Sequence, residues 1–116
     1  MYKKSYDLLL QLFELTRHFK REYKYTIGNT LKNEVLDLIT LIFRANSRMD
    51  KEAILQTARE HIEVIRLYMR VLFDMKQINL KQFVQVNQHV EDISKQLSGM
   101  LINFALYRKT MMPIGF

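Results

Sequence analysis

The sequence of 116 residues contains no cysteine, one proline and three glycines. The absence of cysteine excludes disulfide bonds, thiolate metal ligands and a cysteine nucleophile, and it is compatible with a reducing compartment. Long apolar runs are also missing, because Gln11 interrupts the stretch over residues 8–13, which is too short to cross a membrane. No small-residue cleavage site of a signal peptide follows that stretch. We therefore expect a cytoplasmic protein without a membrane-spanning segment.

Residues that favour helix are abundant, chiefly Leu, Met, Gln, Lys, Arg and Glu, so the composition predicts an all-α fold with one core. Apolar spacing at steps of three and four predicts helices over roughly 5–20, 24–47, 51–76 and 80–109. Asp50 and Asn79 are candidate N-caps of the third and fourth helices. Short connections predict an antiparallel, up-down-up-down four-helix bundle over residues 1–109. An irregular tail, residues 110–116, contains Pro113, which cannot continue a helix.

Each helix carries an apolar row that predicts its core-facing side. The rows are Tyr6, Leu9, Phe13 and Thr16 beside Leu8, Leu12, Leu15 and Phe19 in the first helix; Ile27, Leu31, Val35, Leu38, Ile42 and Ala45 in the second; Ile54, Ala58, Ile62, Ile65, Met69 and Leu72 in the third; and Phe83, Val86, Val90, Ile93, Leu97, Met100, Phe104 and Tyr107 in the fourth. The first two helices are apolar over two faces, whereas one bundle core needs one row. Such helices are either deeply buried or covered by another subunit, and we expect a homo-oligomer.

The sequence indicates no catalytic or metal site. A di-iron bundle places Glu-x-x-His pairs on facing helices, but none of the three histidines has a glutamate three residues before it. The glycines stand singly and form no phosphate-binding loop. Gly28 and Gly99 fall inside predicted helices, where each either permits a close helix approach or is merely tolerated. We expect no enzyme activity, no cofactor and no small-molecule substrate.

Basic residues outnumber acidic ones by 18 to 12, which gives a net charge of +6. This excess either favours an anionic partner such as nucleic acid or serves solubility. It is greatest at the first interhelical corner, where Tyr23 and Tyr25 are interleaved with Arg17, His18, Lys20, Arg21 and Lys24. Such residues can hold phosphates and stack on bases, although a solvated turn around Glu22 is the alternative.

A second charged group lies on one stripe of the third helix, at spacings of three and four. It consists of Arg59, Glu63, Arg66, Arg70 and Asp74. Opposite charges at these spacings can pair along the helix, so the stripe is either a solvated face or a surface that meets phosphates or a partner.

Three groups of residues carry a resemblance to a known family. They are Phe19-Lys20-Arg21 followed by Tyr25-Thr26-Ile27-Gly28 and Leu31; Ile65-Arg66-Leu67 with Arg70; and Ile93-Ser94-Lys95-Gln96-Leu97-Ser98-Gly99-Met100-Leu101. Over roughly residues 6–109 the chain resembles the four-helix-bundle family of the Avd proteins, the accessory variability determinants of diversity-generating retroelements. That family also holds proteins encoded in intervening sequences of large ribosomal RNA.

The resemblance implies a homopentamer with a positive surface that binds RNA and the reverse transcriptase of the element. It implies a non-catalytic role in mutagenic cDNA synthesis, with contacts carried over to Lys20, Arg21, Arg66 and Arg70. Together with the other basic residues of the corner, the expected contact residues are Arg17, Lys20, Arg21, Lys24, Arg66 and Arg70. The apolar tail, residues 111–116, differs from the basic end typical of Avd proteins. The alternative function is a homo-oligomeric helical scaffold with protein partners only.

Overall fold

The computed structural model describes residues 2–45 and 51–111. The chain forms α1 (Tyr2–Thr16), a one-turn helix α2 (Arg21–Lys24), α3 (Ile27–Ala45), α4 (Lys51–Asp74) and α5 (Leu80–Met111). No strand occurs in these two ranges. The predicted all-α bundle is therefore confirmed. No helix within the described part of the chain is long and apolar enough to span a membrane.

Two helix boundaries differ from those expected. The first helix begins at Tyr2 and ends at Thr16, four residues earlier than the spacing predicts. The second helix, α3, begins at Ile27, three residues later than predicted, and the expected connection around Glu22 contains the one-turn helix α2. Lys20 has a ψ angle of 146°, which takes the backbone out of the helical path. The buried Phe19 then packs under the start of α3. The predicted N-cap Asp50 and residues 112–116 of the predicted tail lie outside the described residues.

Asn79 caps α5 as the sequence predicts. The Asn79 side-chain oxygen accepts a hydrogen bond from the backbone N–H of Gln82 at 2.8 Å. In return, the Gln82 side-chain oxygen accepts a bond from the backbone N–H of Asn79 at 2.9 Å. This reciprocal capping box satisfies donors that a helix start otherwise leaves without partners. At its other end α5 continues to Met111, two residues past the predicted limit.

The core is built from apolar side chains of all four long helices. Its largest fully buried side chains are Leu8, Leu12, Leu31, Leu38, Ile42, Leu55, Ile62, Ile65, Met69, Leu72, Ile93 and Leu97. In α1 the predicted row that contains Leu8 and Leu12 is buried, and the other row is divided: Leu9 and Thr16 are buried, whereas Tyr6 and Phe13 are exposed. In α4, Leu55 takes the buried position expected of Ile54, which is only half-buried.

Where α5 contacts α1 and α4, a higher residue number on one helix meets a lower residue number on the other. Gln11 and Lys4 of α1 contact His89 and Asp92 of α5, respectively. Between α4 and α5, Arg66 pairs with Glu91, and the rings of Phe73 and Phe83 stack with their centroids 4.7 Å apart. The connection before α3 and the connection before α5 therefore lie at the same end of a bundle 56 Å long.

The C-terminal part of α5 extends past α1. A helix of 32 residues is about 48 Å long, about twice the length of the 15-residue α1. Leu101 is the last buried residue described in α5, whereas Ile102, Leu106 and Tyr107 are exposed. Tyr107, predicted as the last member of the core row, therefore lies on the surface of the subunit.

Candidate nucleic-acid interface

The corner between α1 and α3 is anchored by a close approach at Gly28, in the first turn of α3. A Cβ atom at this position would lie 3.1 Å from the backbone oxygen of Tyr23 and 3.6 Å from side-chain atoms of Phe19 and Thr16. Tyr23 is partly buried and packs against the core. The corner backbone thus lies close against the start of α3, and a side chain at position 28 would require the backbone of Tyr23 to shift. Gly99 has no such neighbour within 4 Å.

Lys20, Arg21 and Lys24 form the centre of this corner. The side chains of Lys20 and Arg21 are exposed, and that of Lys24 is partly exposed. Within the described ranges, none of the three has a carboxylate partner within ion-pair distance. Their positive charges are therefore available to an anionic ligand. We call these three residues the basic corner.

Arg17 differs from the basic corner although it is close in sequence. Its guanidinium Nη1 lies 2.9 Å from a carboxylate oxygen of Glu14, one turn earlier on α1. His18 also lies near Glu14, with 3.8 Å between Nε2 and a carboxylate oxygen. A phosphate that approached Arg17 would meet the negative charge of Glu14 as well.

Tyr25 is the exposed aromatic residue of the corner. Its side chain is 60% exposed, in contrast with the partly buried Tyr23. The guanidinium carbon of Arg21 and the ammonium nitrogen of Lys24 each lie 5.9 Å from the centroid of the Tyr25 ring. The structure thus separates two tyrosines that the sequence pattern treats alike: Tyr23 anchors the corner, and Tyr25 faces solvent beside two cations.

The connection between α4 and α5 adds Lys76, a basic residue that the sequence reasoning missed. Its neighbour Gln77 accepts a hydrogen bond through its side-chain oxygen from the backbone N–H of Lys20, at 3.2 Å. Lys76 is exposed and lies two residues past the end of α4, with a φ angle of 61°. Lys76 could have been identified from the sequence, because an up-down bundle places the short connection before Asn79 at the same end as the first corner.

Arg66 and Arg70 on α4 are engaged in ion pairs. Arg66 contacts Glu63 at 3.1 Å and Glu91 of α5 at 2.7 Å, while Arg70 contacts Asp74 at 3.1 Å. The pairing of opposite charges expected within this stripe is therefore present, and it extends across to α5. These two arginines present a surface of mixed charge, unlike the basic corner.

A row of large apolar side chains lies on the side formed by α1 and α3. Tyr2, Tyr6, Leu10 and Phe13 are spaced four, four and three residues apart, so they share one stripe of α1. On α3, Lys32 lies over the ring of Phe13, with 4.8 Å between its ammonium nitrogen and the ring centroid.

Because Leu36 follows Lys32 by four residues and Phe43 follows Leu36 by seven, they continue along the same side of α3. We call this region the α1–α3 apolar surface, and its members are between 43% and 65% exposed: Tyr2, Tyr6, Leu10, Phe13, Leu36 and Phe43. Ile39 and Leu41, which also widen the apolar arc of this helix, pack partly against the core.

The partly buried histidines have polar partners on neighbouring helices. Nδ1 of His61 lies within hydrogen-bonding distance of a carboxylate oxygen of Glu34, and Nδ1 of His89 lies 2.7 Å from the side-chain oxygen of Gln11. Among the residues that the structure describes, no three His, Cys, Asp or Glu side chains form a cluster that could hold a metal ion. These histidines thus join helices at the boundary of the core.

These features define a small all-α bundle with a basic corner at one end and an uncovered apolar side. A sequence profile of the bAvd-like family matches residues 1–104. The chain belongs to the bAvd-like family, as the three groups of residues described above predict. No curated protein matches the chain significantly.

Proposed function

We propose that this protein is a non-catalytic, RNA-binding accessory protein of a diversity-generating retroelement. In that role it binds the template RNA and the reverse transcriptase and supports mutagenic cDNA synthesis. The observation that carries the proposal is the basic corner, in which Lys20, Arg21 and Lys24 project from one end of the bundle without carboxylate partners among the described residues. Membership in the bAvd-like family supports the same assignment.

The charges of the corner suit a polyanion. Phosphates attract Lys and Arg independently of sequence, and binding releases counterions from the nucleic acid. Glu22 lies on α2 among these residues, but no ion pair with them occurs in the described structure. Lys76 adds a further cation next to Gln77, which is bonded to Lys20. The basic corner is therefore our proposed RNA contact.

Arg66 and Arg70 suit the reverse transcriptase better than RNA. Each of these arginines has carboxylates within 3.1 Å, and those carboxylates would repel phosphates. A protein surface can match such alternating charges with its own. We assign the paired stripe on α4 to contact with the reverse transcriptase, and Arg17, paired with Glu14, to the margin of the RNA contact.

The α1–α3 apolar surface supports assembly of several copies. Monomeric proteins rarely expose large contiguous apolar patches, and larger ones mark interfaces. Six large apolar side chains share this surface, which also explains why the sequence of α1 is apolar over two faces. Together with the family resemblance, this favours a homopentamer in which the surface is covered by neighbouring copies.

RNA binding by the purified protein across a salt series tests the proposal. Substitution of Lys20, Arg21 and Lys24 by Gln should lower the slope of log affinity against log salt by about 2, since each contact with single-stranded RNA contributes about 0.7. The matched control replaces Lys51, Lys95 and Lys109 by Gln, and its slope should equal that of the unaltered protein. Light scattering should show an oligomer at the same concentrations.

Weak binding that does not vary with salt would contradict the RNA-binding proposal. The second candidate, a scaffold with protein partners only, would then account for the α1–α3 apolar surface, because covering that surface requires no nucleic acid. An oligomer without RNA affinity would favour the scaffold. A protein that binds RNA but stays monomeric at high concentration would contradict the proposed assembly and leave the RNA-binding proposal intact.

A further inference from the structure

We infer that Tyr25 is a stacking platform for an unpaired RNA base, with Arg21 and Lys24 holding the phosphates next to that base. The inference rests on the RNA binding proposed above and adds the kind of RNA that the corner takes. Its ligand is a single-stranded segment, because a base can lie on a tyrosine ring only when it has left the stack of a duplex.

The first argument is the combination of exposure and charge at one ring. Tyr25 is 60% exposed, although tyrosine is large enough to contribute strongly to a core. Arg21 and Lys24 each lie 5.9 Å from its ring centroid, close to the outer limit of about 6 Å for cation–π attraction. Both cations lie over the ring at the limit of this attraction, so an incoming base can displace them toward its own phosphates. An aromatic face beside positive charge is the arrangement by which single-stranded nucleic acid is bound without sequence preference.

The second argument is that the backbone under the ring is fixed. The backbone N–H of Tyr25 donates a hydrogen bond to the carbonyl of Arg21 at 3.2 Å, which ends α2. The next residue, Thr26, accepts a hydrogen bond from the N–H of Thr30 at 3.1 Å and so joins the start of α3. Because the chain on both sides is ordered, binding a base need only fix side chains, and the entropy cost is small.

The third argument distinguishes Tyr25 from the other aromatics of the corner. Phe19 is buried, and Tyr23 is partly buried and lies with its carbonyl oxygen against Gly28. Neither presents a ring to an incoming base. The single exposed ring therefore predicts that one base stacks per subunit, while Lys20 and the flanking cations hold the backbone of the strand.

Comparison of a single-stranded oligonucleotide with an RNA duplex of the same length tests this inference. In the full chain, Tyr25→Ala should weaken binding of the single strand by about fivefold or more and leave binding of the duplex unchanged. Tyr25→Phe should retain the affinity for the single strand, because the ring face is kept. The matched control is Tyr107→Ala, at a tyrosine of similar exposure (58%) on α5, and it should change neither affinity.

The possible results separate the inference from the proposal on which it rests. A selective loss of single-strand affinity in Tyr25→Ala, rescued by Tyr25→Phe, supports stacking. Equal losses for single strand and duplex would show that Tyr25 only shapes the corner, and unchanged affinities would show that the ring takes no part; either result overturns the inference and leaves RNA binding intact. An unaltered protein that binds neither RNA overturns both.

Discussion

The backbone N–H of Lys20 donates a hydrogen bond to the side-chain oxygen of Gln77 at 3.2 Å, across 57 residues of sequence. The bond joins the connection before α2 to the connection before α5. It also satisfies the amide at the start of α2, where Lys20 is the N-cap residue and provides no side-chain hydrogen bond of its own. The geometry of the basic corner thus depends on a residue that carries no charge.

Gln77→Ala should loosen the corner without unfolding the bundle. The bond is exposed, so its loss should lower the free energy of unfolding by about 1 kcal/mol or less. Hydrogen exchange of the Lys20 amide should become faster, because that amide loses its acceptor. Gln88→Ala, at an exposed position within α5, is the control and should leave this exchange rate unchanged. An unchanged rate in Gln77→Ala would show that water replaces the bond equally well.

Lys76→Gly should stabilise the protein. Lys76 has a φ angle of 61°, and the amides of Lys76 and Gln77 bond to the carbonyls of Phe73 and Leu72 at 3.0 Å, which is a Schellman motif. Glycine adopts this backbone conformation without the steric cost that a side chain brings, so we expect a gain of up to about 1 kcal/mol in urea unfolding.

Lys76→Ala is the matched control for this prediction. It removes the charge as Lys76→Gly does, but it keeps a Cβ atom at the positive φ angle. Its stability should therefore remain close to that of the unaltered protein. Equal stabilisation by both substitutions would assign the effect to charge and not to the backbone.

The two described helical glycines should respond differently to alanine. Gly99→Ala should stabilise α5 by up to about 1 kcal/mol, since alanine favours helix and no atom lies within 4 Å of the added methyl group. Gly28→Ala should lose this gain or become destabilising, because the methyl group would lie 3.1 Å from the backbone oxygen of Tyr23. Thermal unfolding of both variants measures the difference, and a gain of equal size at the two positions would contradict it.

Phe43→Glu should dissociate the proposed oligomer while the subunit remains folded. Phe43 is 65% exposed in the single subunit, so a charge there costs the fold little, but it would be buried when another copy covers the α1–α3 apolar surface. Light scattering should show a smaller assembly, and circular dichroism should show unchanged helicity. Leu80→Glu, at a position 63% exposed at the start of α5, is the matched control and should leave the assembly intact.

Much of the fold can be predicted from local pattern. Most of the buried positions of α3, α4 and α5 follow from steps of three and four, with Ile54 and Tyr107 as exceptions. The cap at Asn79 follows from its spacing to Gln82. The sequence predicts a corner near Glu22, but the end of α1 at Thr16 could not be predicted, because it depends on how Phe19 packs beneath Gly28 across the corner. The apolar spacing along one helix does not reveal that contact, because Phe19 continues the apolar row whether the helix ends at Thr16 or extends further.

The residues of the candidate site also divide into those that can be identified in the sequence and those that only the fold brings together. Lys20, Arg21 and Lys24 are adjacent in sequence and could be identified there, and the pairing of Arg17 with Glu14 follows from a spacing of three. The contact of Arg66 with Glu91 joins α4 to α5 and requires the packing of the two helices. Likewise, Lys76 reaches the corner only through the fold, as do the differing exposures of Tyr23 and Tyr25.

The position of the basic corner at one end of the long axis has a consequence for avidity. In the proposed assembly, copies that meet side by side along α1 and α3 with their helix axes aligned would carry their basic corners at the same end. A polyanion long enough to reach several corners then binds the second one at high effective concentration, and affinity rises with strand length far more steeply than for one subunit. The assembly would thus bind most tightly those RNA strands that are long enough to span the distance between neighbouring basic corners.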